Sequence, residues 1–69
     1  MTEVYPKIGS YYKHYKGGLY KVLTLSKHTE TNEILVIYKS IHFGSVYARP
    51  LNLWFEQVGD FLRFEEYVK

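Results

Sequence analysis

The fold is decided by residues 11–22, which read Tyr11-Tyr12-Lys13-His14-Tyr15-Lys16-Gly17-Gly18-Leu19-Tyr20-Lys21-Val22. Aromatic and polar side chains lie on both sides of a Gly-Gly pair in this stretch. A two-residue hairpin turn of type I′ needs a positive φ at both central residues, and glycine adopts that conformation without steric cost. We therefore predict a β-hairpin with strands over Ser10–Lys16 and Leu19–His28 and a turn at Gly17-Gly18.

The predicted turn determines which side chains share a face, because alternate residues of a strand point to opposite sides. One face is expected to hold the cross-strand pairs Tyr15 with Tyr20, Lys13 with Val22, and Tyr11 with Thr24. The opposite face is then expected to hold Tyr12, His14 and Lys21. This aromatic and basic combination suits solvent or a ligand better than a core.

Two further turns and two further strands follow. Asn32 tolerates the left-handed conformation and predicts a second hairpin turn. Ile34–Ile41 is the most apolar and β-branched stretch and is expected to be the middle strand of the sheet. Gly44-Ser45 marks the next turn, and the short strand Val46–Arg49 is expected to end at Pro50.

The last part of the chain is less regular. Residues 51–58 fit a helical face better than a strand. Because Pro50 precedes them and Gly59 follows them, they predict a short helical turn near residues 51–57. Phe61–Phe64 is expected to be the fifth strand.

The chain has 69 residues, no cysteine, and 8 Tyr, 4 Phe and 1 Trp. A chain of this length forms one small domain, which we place over residues 1–69. Without disulfides, large rings that each bury about 150–250 Å² must supply most of its core. Five short strands joined by tight turns predict a mainly β fold, a small, strongly bent five-stranded antiparallel sheet that closes to an SH3-like barrel. The alternative is an open meander with a helix laid across it.

The formal net charge of +2 is too small to indicate nucleic-acid binding by itself. Most basic residues precede Pro50, whereas most acidic residues follow it. No apolar run reaches the roughly 20 residues of a membrane span, and the first residues lack the pattern of a signal peptide. These features predict no membrane partner and a cytoplasmic location.

Several short motifs occur in a specific order along the chain. They are Tyr12-Lys13-His14-Tyr15-Lys16-Gly17-Gly18-x-Tyr20-x-Val22, then His28-Thr29-Glu30-Thr31, Tyr38, and Arg49-Pro50-Leu51 followed by Phe55. In this order they resemble the bacterial family catalogued as domain of unknown function 1653, over nearly the whole chain. The resemblance implies a small single-domain β-rich protein and implies no activity. The sequence departs from the family pattern at Asn32, where glycine is usual, and nothing carries over to His42 or Phe43 in a variable loop.

Candidate ligand-binding residues come from both hairpins and from the later aromatic and basic positions. They are Tyr12, His14, Lys16, Lys21, His28, Glu30, Tyr38, Arg49 and Trp54. Aromatic and basic side chains on one surface are typical of sites that stack bases and hold phosphates. The alternatives are an ordinary solvated face, pairing of Arg49 with an internal acid such as Glu30 or Glu56, and a core position for Trp54.

His28 and Glu30 are two residues apart, a spacing that puts both side chains on one face of a strand. A carboxylate beside an imidazole raises the pKa of that imidazole and can poise it as a general base. The alternative is a side chain that stabilises the turn by bonding local backbone. No metal site is predicted, because the fold would have to gather the three His, at 14, 28 and 42.

We expect a binding module and not an enzyme, because no nucleophile motif is present and so small a domain has little volume to enclose a substrate. The preferred ligand is anionic, either single-stranded nucleic acid or a nucleotide-like molecule, and no cofactor is expected. The alternative is a protein-interaction module in which aromatic grooves of an SH3-like barrel dock an extended peptide. A small hydrolase that uses His28 and Glu30 is the least favoured hypothesis. An exposed sheet edge would also allow dimerisation.

Overall fold

A computed structural model describes residues 5–67. Its elements in chain order are β1 (Tyr11–His14), β2 (Leu19–Lys27), β3 (Ile34–Ser40), β4 (Val46–Pro50), α1 (Leu51–Trp54), β5 (Gln57–Val58), β6 (Phe61–Leu62) and β7 (Phe64–Tyr67). Five strands form one antiparallel sheet in the order β4-β3-β2-β1-β7, and β5 pairs with β6 in a separate hairpin. The prediction of a mainly β fold with a five-stranded antiparallel sheet and a very short helix is confirmed.

The first hairpin forms, but its predicted register is wrong. Tyr12 lies opposite Tyr20, and Tyr11 lies opposite Lys21 instead of Thr24. The pairing has therefore slipped by an odd number of residues. Because a slip by an odd number of residues reverses the faces of one strand relative to its partner, Tyr12 joins Tyr20 on the core face, and Lys21 faces away from the core with Tyr11.

The slip follows from the length of the turn. The His14 backbone N–H donates to the Gly18 carbonyl at 2.9 Å, and the Gly17 N–H donates back to the His14 carbonyl at 2.8 Å. Tyr15 and Lys16 therefore lie in the turn and not in a strand. Gly17 and Gly18 have φ angles of 109° and 46°, so the predicted positive φ at both glycines is confirmed although the turn is longer than expected.

The second hairpin turn lies where the sequence predicts it. Asn32 has a φ of 62°, and its backbone N–H donates to the His28 carbonyl at 2.8 Å. β3 is an interior strand between β2 and β4, but the middle of the sheet is β2. The expectation that residues 34–41 form the middle strand is therefore wrong, because β7 adds a strand beyond β1.

The chain after Pro50 follows the predictions only in part. The helix α1 begins directly after Pro50, as expected, but it ends at Trp54. The predicted extent to residue 57 is wrong, because Gln57 belongs to β5. The predicted fifth strand over Phe61–Phe64 is divided, because Phe61 and Leu62 form β6 and pair with β5. The strand that joins the large sheet begins at Phe64 and pairs with β1.

The core lies on one face of the sheet, against α1. Its buried hydrophobic residues are Tyr12, Val22, Val36, Tyr38, Trp54 and Phe64. Trp54 stacks on Phe64 with ring centroids 4.2 Å apart and ring planes 4° apart. The Trp54 ring also lies edge-on to Tyr12 and Tyr38, at 5.3 and 5.0 Å. Such pairs add about 0.5–1.5 kcal/mol each beyond the burial of their surface, so large rings do supply the core.

Closure into a barrel is not found. β4 and β7 are the outer strands of the sheet order, and no pairing joins them within residues 5–67. The alternative expectation, an open sheet with a helix laid across it, is closer to the observed architecture.

No helix in the described part of the chain has the length and apolar character needed to cross a membrane. The first four residues, on which the expectation of no signal peptide partly depends, lie outside the described residues.

Candidate functional site

Three of the predicted ligand-binding residues belong to the core. Tyr12, Tyr38 and Trp54 are 6%, 8% and 0% exposed. The expectation that Tyr12 lies on a solvated face is wrong, because the register of the first hairpin turns it inward. The core position that the sequence analysis offered for Trp54 is confirmed. These three rings are buried below the protein surface and leave almost no area for direct contact with a ligand.

Lys21 lies on the opposite face of the sheet from these rings. It pairs with Tyr11 on β1 and with Lys39 on β3, and its Nζ atom lies 5.7 Å from the centroid of the Tyr11 ring. The predicted association of Lys21 with Tyr12 and His14 is wrong for the same reason of register.

His28 and Glu30 belong to the turn between β2 and β3. The His28 Nδ1 atom accepts a hydrogen bond from the backbone N–H of Glu30 at 3.2 Å. The backbone N–H of His28 donates to the Glu33 carbonyl at 2.8 Å. The alternative in which a side chain stabilises the turn through local backbone is therefore confirmed for His28. Within residues 5–67, no three His, Asp or Glu side chains are grouped closely enough to hold a metal ion.

The remaining predicted residues, His14, Lys16 and Arg49, come together at one end of the core face. They are joined there by side chains that the sequence analysis did not select as ligand-binding. We call this surface the basic rim, and it consists of His14, Tyr15, Lys16, Tyr20, Tyr47, Arg49, Glu56 and Arg63.

Backbone hydrogen bonds bring two distant segments together at the basic rim. His14 ends β1, and Tyr15 and Lys16 lie in the turn that follows. The Tyr15 N–H donates to the Arg63 carbonyl at 3.0 Å, and the Arg63 N–H donates to the Glu56 carbonyl at 2.9 Å. These bonds hold the first turn against the residue that separates β6 from β7.

One carboxylate oxygen in the basic rim pairs with two guanidinium groups. Glu56 Oε1 lies 2.8 Å from Arg63 Nε and 3.3 Å from Arg49 Nη2. Arg49 also donates through Nε to the Leu53 carbonyl at 3.3 Å, which connects β4 to α1. The predicted pairing of Arg49 with an internal acid is confirmed, and the acid is Glu56. Two guanidinium groups on one carboxylate leave a surplus of positive charge.

A third cation, Lys16, adds to this surplus. Burial lowers the pKa of His14 below its ordinary value, and the nearby charges of Arg63, Lys16 and Arg49 lower it further. The His14 Nδ1 atom accepts the backbone N–H of Lys16 at 3.1 Å. Neutral His14 therefore carries its proton at Nε2, from which it can donate to a ligand.

Tyrosine rings form the rest of the exposed surface of the basic rim. Tyr15 is 38% exposed, and the Lys16 Nζ atom and the Arg63 guanidinium carbon each lie 5.7 Å from its ring centroid. Tyr47 is 45% exposed and packs on the buried Tyr38 with 5.6 Å between centroids. Burial raises the pKa of Tyr38, although the Arg49 charge opposes that rise. The basic rim therefore presents flat rings beside cations.

A small cavity borders the basic rim at His14 and Tyr15. Its volume is about 250 Å³, and Phe61 and Leu62 of the β5–β6 hairpin also line it. Phe61 is 66% exposed. This volume lies just below the roughly 300–1,000 Å³ of typical ligand pockets, so the cavity suits one ring-sized group and not a large substrate.

Five residues of the basic rim were not among the predicted candidates, namely Tyr15, Tyr20, Tyr47, Glu56 and Arg63. Tyr47 is two residues before Arg49 on β4, so the period of a strand places both on one face, and this signal was available. Arg63 interrupts an apolar run between Leu62 and Phe64, which also marks it. No local pattern connects Glu56 with both arginines, because the three meet only through long-range pairing.

The basic rim and the sheet that supports it fall within a region that matches a known family. The family described as Protein of unknown function (DUF1653) matches residues 10–66. Comparison with curated proteins and with solved structures finds no match. The family match spans the first hairpin, all of the five-stranded sheet except Tyr67, and every residue of the basic rim. It confirms the resemblance of the short motifs. The chain therefore belongs to the DUF1653 family of proteins of unknown function.

Proposed function

We propose that this protein is a binding module whose basic rim takes a phosphate attached to an aromatic base, as in a nucleotide-like molecule. The observation that carries the proposal is the single Glu56 carboxylate oxygen shared by Arg49 and Arg63, with Lys16 as a third nearby cation. The cluster holds more positive charge than its own carboxylate neutralises, so a bound anion lowers its energy. The proposal involves no catalytic step.

The chemistry of the basic rim suits a terminal phosphate. Guanidinium groups bind phosphate oxygens through paired N–H donors, and neutral His14 adds an N–H donor at Nε2. A terminal phosphate has three acceptor oxygens and up to two negative charges, which matches several cations that converge on one place. Tyr15 and Tyr47 lie beside the cations, where a base can stack on them.

A free nucleotide and the phosphorylated end of single-stranded nucleic acid share this chemistry. NMR titrations with inorganic phosphate, a mononucleotide, and an oligonucleotide with or without a terminal phosphate separate the two sources. Mononucleotide binding with shifts confined to the basic rim supports the proposal. Binding only of the phosphorylated oligonucleotide assigns the source as nucleic acid.

Charge-neutralising variants test which cations act. Arg63→Gln and Lys16→Gln are each expected to weaken mononucleotide binding about 10-fold or more, since a hydrogen bond to a charged group contributes about 1.5–3 kcal/mol. The control is Lys27→Gln, which removes an exposed charge from the other end of β2. Equal weakening by all three variants would refute a specific site, because it would indicate a response to net charge alone.

A second proposal concerns an SH3-like barrel that docks an extended peptide. It is supported by the order of elements, in which a helix follows β4 and β7 then pairs with β1. It is also supported by the 5.4 Å between the rings of Phe64 on β7 and Tyr38 on β3, two strands that are not neighbours. Backbone distance restraints between β4 and β7 test closure. Binding of a proline-rich peptide that hardly changes with salt tests the docking role. The cytoplasmic location stays a prediction.

A further inference from the structure

The face of the sheet opposite the core is crossed by one residue from each strand. Strand pairing places Tyr67 opposite Tyr11, Tyr11 opposite Lys21, Lys21 opposite Lys39, and Lys39 opposite Val46. We call these five residues the cross-strand row. Since neighbouring strands lie about 4.8 Å apart, the row is roughly 19 Å long.

The cross-strand row contains an unfavourable charge pair. Lys21 and Lys39 lie directly opposite each other on β2 and β3, and like charges in that position destabilise a sheet. The row contains no acidic residue, and both ion pairs in the described residues belong to Glu56 on the other face. The fold therefore carries a like-charge contact that an external anion would relieve.

Aromatic rings lie beside these two lysines. The Lys21 Nζ atom lies 5.7 Å from the centroid of the Tyr11 ring, and Tyr67 on the outer strand is 42% exposed. In residues 5–67, α1 and the aromatic core lie against the other face, because Tyr12, Val22 and Tyr38 alternate with members of the row. The row is thus a sheet surface with rings at one end and cations at its centre.

A cavity adjoins the same end of the row. Its volume is about 300 Å³, and Lys13, Leu19, His42 and Tyr67 are among the residues that line it. Lys13 is two residues after Tyr11 on β1 and shares its face. The cavity therefore adds Lys13 beside Tyr67, and strand pairing places Glu65 opposite Lys13 on the same face.

We propose that the cross-strand row binds single-stranded nucleic acid, with phosphodiesters at Lys21 and Lys39 and bases stacked on Tyr11 and Tyr67. A row of cations and rings suits a polymer that offers phosphates and bases in alternation. An acidic peptide would neutralise the lysines but would leave the rings without a flat partner. The site is independent of the basic rim, because it uses other residues on the opposite face and internal phosphodiesters instead of a terminal phosphate.

Fluorescence anisotropy with a labelled oligothymidylate of about 12 nucleotides, without terminal phosphate, tests the proposal. Lys21→Gln with Lys39→Gln is expected to reduce the slope of log affinity against log salt by about 1.4, since each contact to a single strand contributes about 0.7. Tyr67→Ala is expected to weaken binding roughly 5- to 150-fold, the range for loss of one stacked base. Removal of like charges leaves the sheet at least as stable, so the double lysine variant stays folded.

The matched control replaces two of the three cations of the basic rim, Lys16→Gln with Arg63→Gln. This variant is expected to keep wild-type affinity for the oligothymidylate while it loses mononucleotide binding. These measurements therefore distinguish a failure of the proposal for the cross-strand row from a failure of the proposal for the basic rim. Any one of three results would overturn the proposal. The first is a wild-type salt slope in the double lysine variant, and the second is an affinity for a duplex equal to that for the single strand. The third is full displacement of the oligothymidylate by polyglutamate at equal charge.

Discussion

Phe64 decides whether β7 closes the aromatic core, and its replacement gives the most direct test of the fold. Its side chain is 3% exposed and stacks on Trp54 at 4.2 Å. It also lies 5.4 Å from the Tyr38 ring and 5.0 Å from His14. One side chain thus connects β7 with β1, β3 and α1.

The size of the effect follows from this burial. Phe→Ala in a core costs about 3–5 kcal/mol, whereas a chain of 69 residues has a total stability of roughly 3–10 kcal/mol. Phe64→Ala would therefore unfold much of the population. Phe64→Leu keeps most of the volume and loses the ring contacts, so we expect a loss of about 1–2 kcal/mol. For a domain of this size that lowers Tm by roughly 5–15 °C.

Thermal unfolding followed by far-UV circular dichroism and by tryptophan fluorescence measures this loss. The chain has 1 Trp, so the fluorescence reports Trp54 and its stack with Phe64. Phe55→Leu is the matched control, because Phe55 is 37% exposed and its replacement should cost less than about 0.5 kcal/mol. Equal Tm shifts for the two variants would refute the assignment of β7 as the strand that closes the core.

Four further predictions concern pH, anion binding and the first turn. Because the pKa of His14 is lowered in the folded state, stability should fall as pH drops below about 6.5. His14→Gln should flatten that fall in pH-dependent denaturation, and an unchanged profile in the variant would contradict the role of His14. Sulfate should bind more tightly as pH falls, since an anion favours the protonated imidazole, and calorimetry that finds no pH dependence would count against the basic rim. Because burial raises the pKa values of Tyr12 and Tyr38, stability should decline above about pH 10, as circular dichroism would detect. Gly17→Ala and Gly18→Ala should each cost about 1–2 kcal/mol because both φ angles are positive, and unchanged melting would contradict the turn.

Local features of the fold could be predicted because they depend on neighbouring residues. The two glycines and Asn32 adopt positive φ where the sequence expects it. Pro50 precedes a helix. Each of these outcomes follows from the conformational range of a single residue type.

The candidate site could be predicted only in part. Its residues His14, Lys16 and Arg49 were expected, but the expected exposed position of Tyr12 was not found, because the face of a strand depends on pairing register. A two-residue turn and the observed longer turn use the same glycines, and nothing local distinguishes them. Yet the longer turn moves Tyr12 to the core face and leaves Lys21 on the other face, so the two residues do not share the face expected of them.

The sequence by itself determined that the chain forms short antiparallel strands around large rings, with turns at glycine and asparagine. Only the tertiary structure decided which rings are core and which are surface, because a side-chain period of two makes every face depend on register. It also decided that β7 pairs with β1, which carries Arg63 to the first turn and to Glu56. Such contacts join residues that are far apart in the chain, so their geometry arises only when the whole sheet has formed.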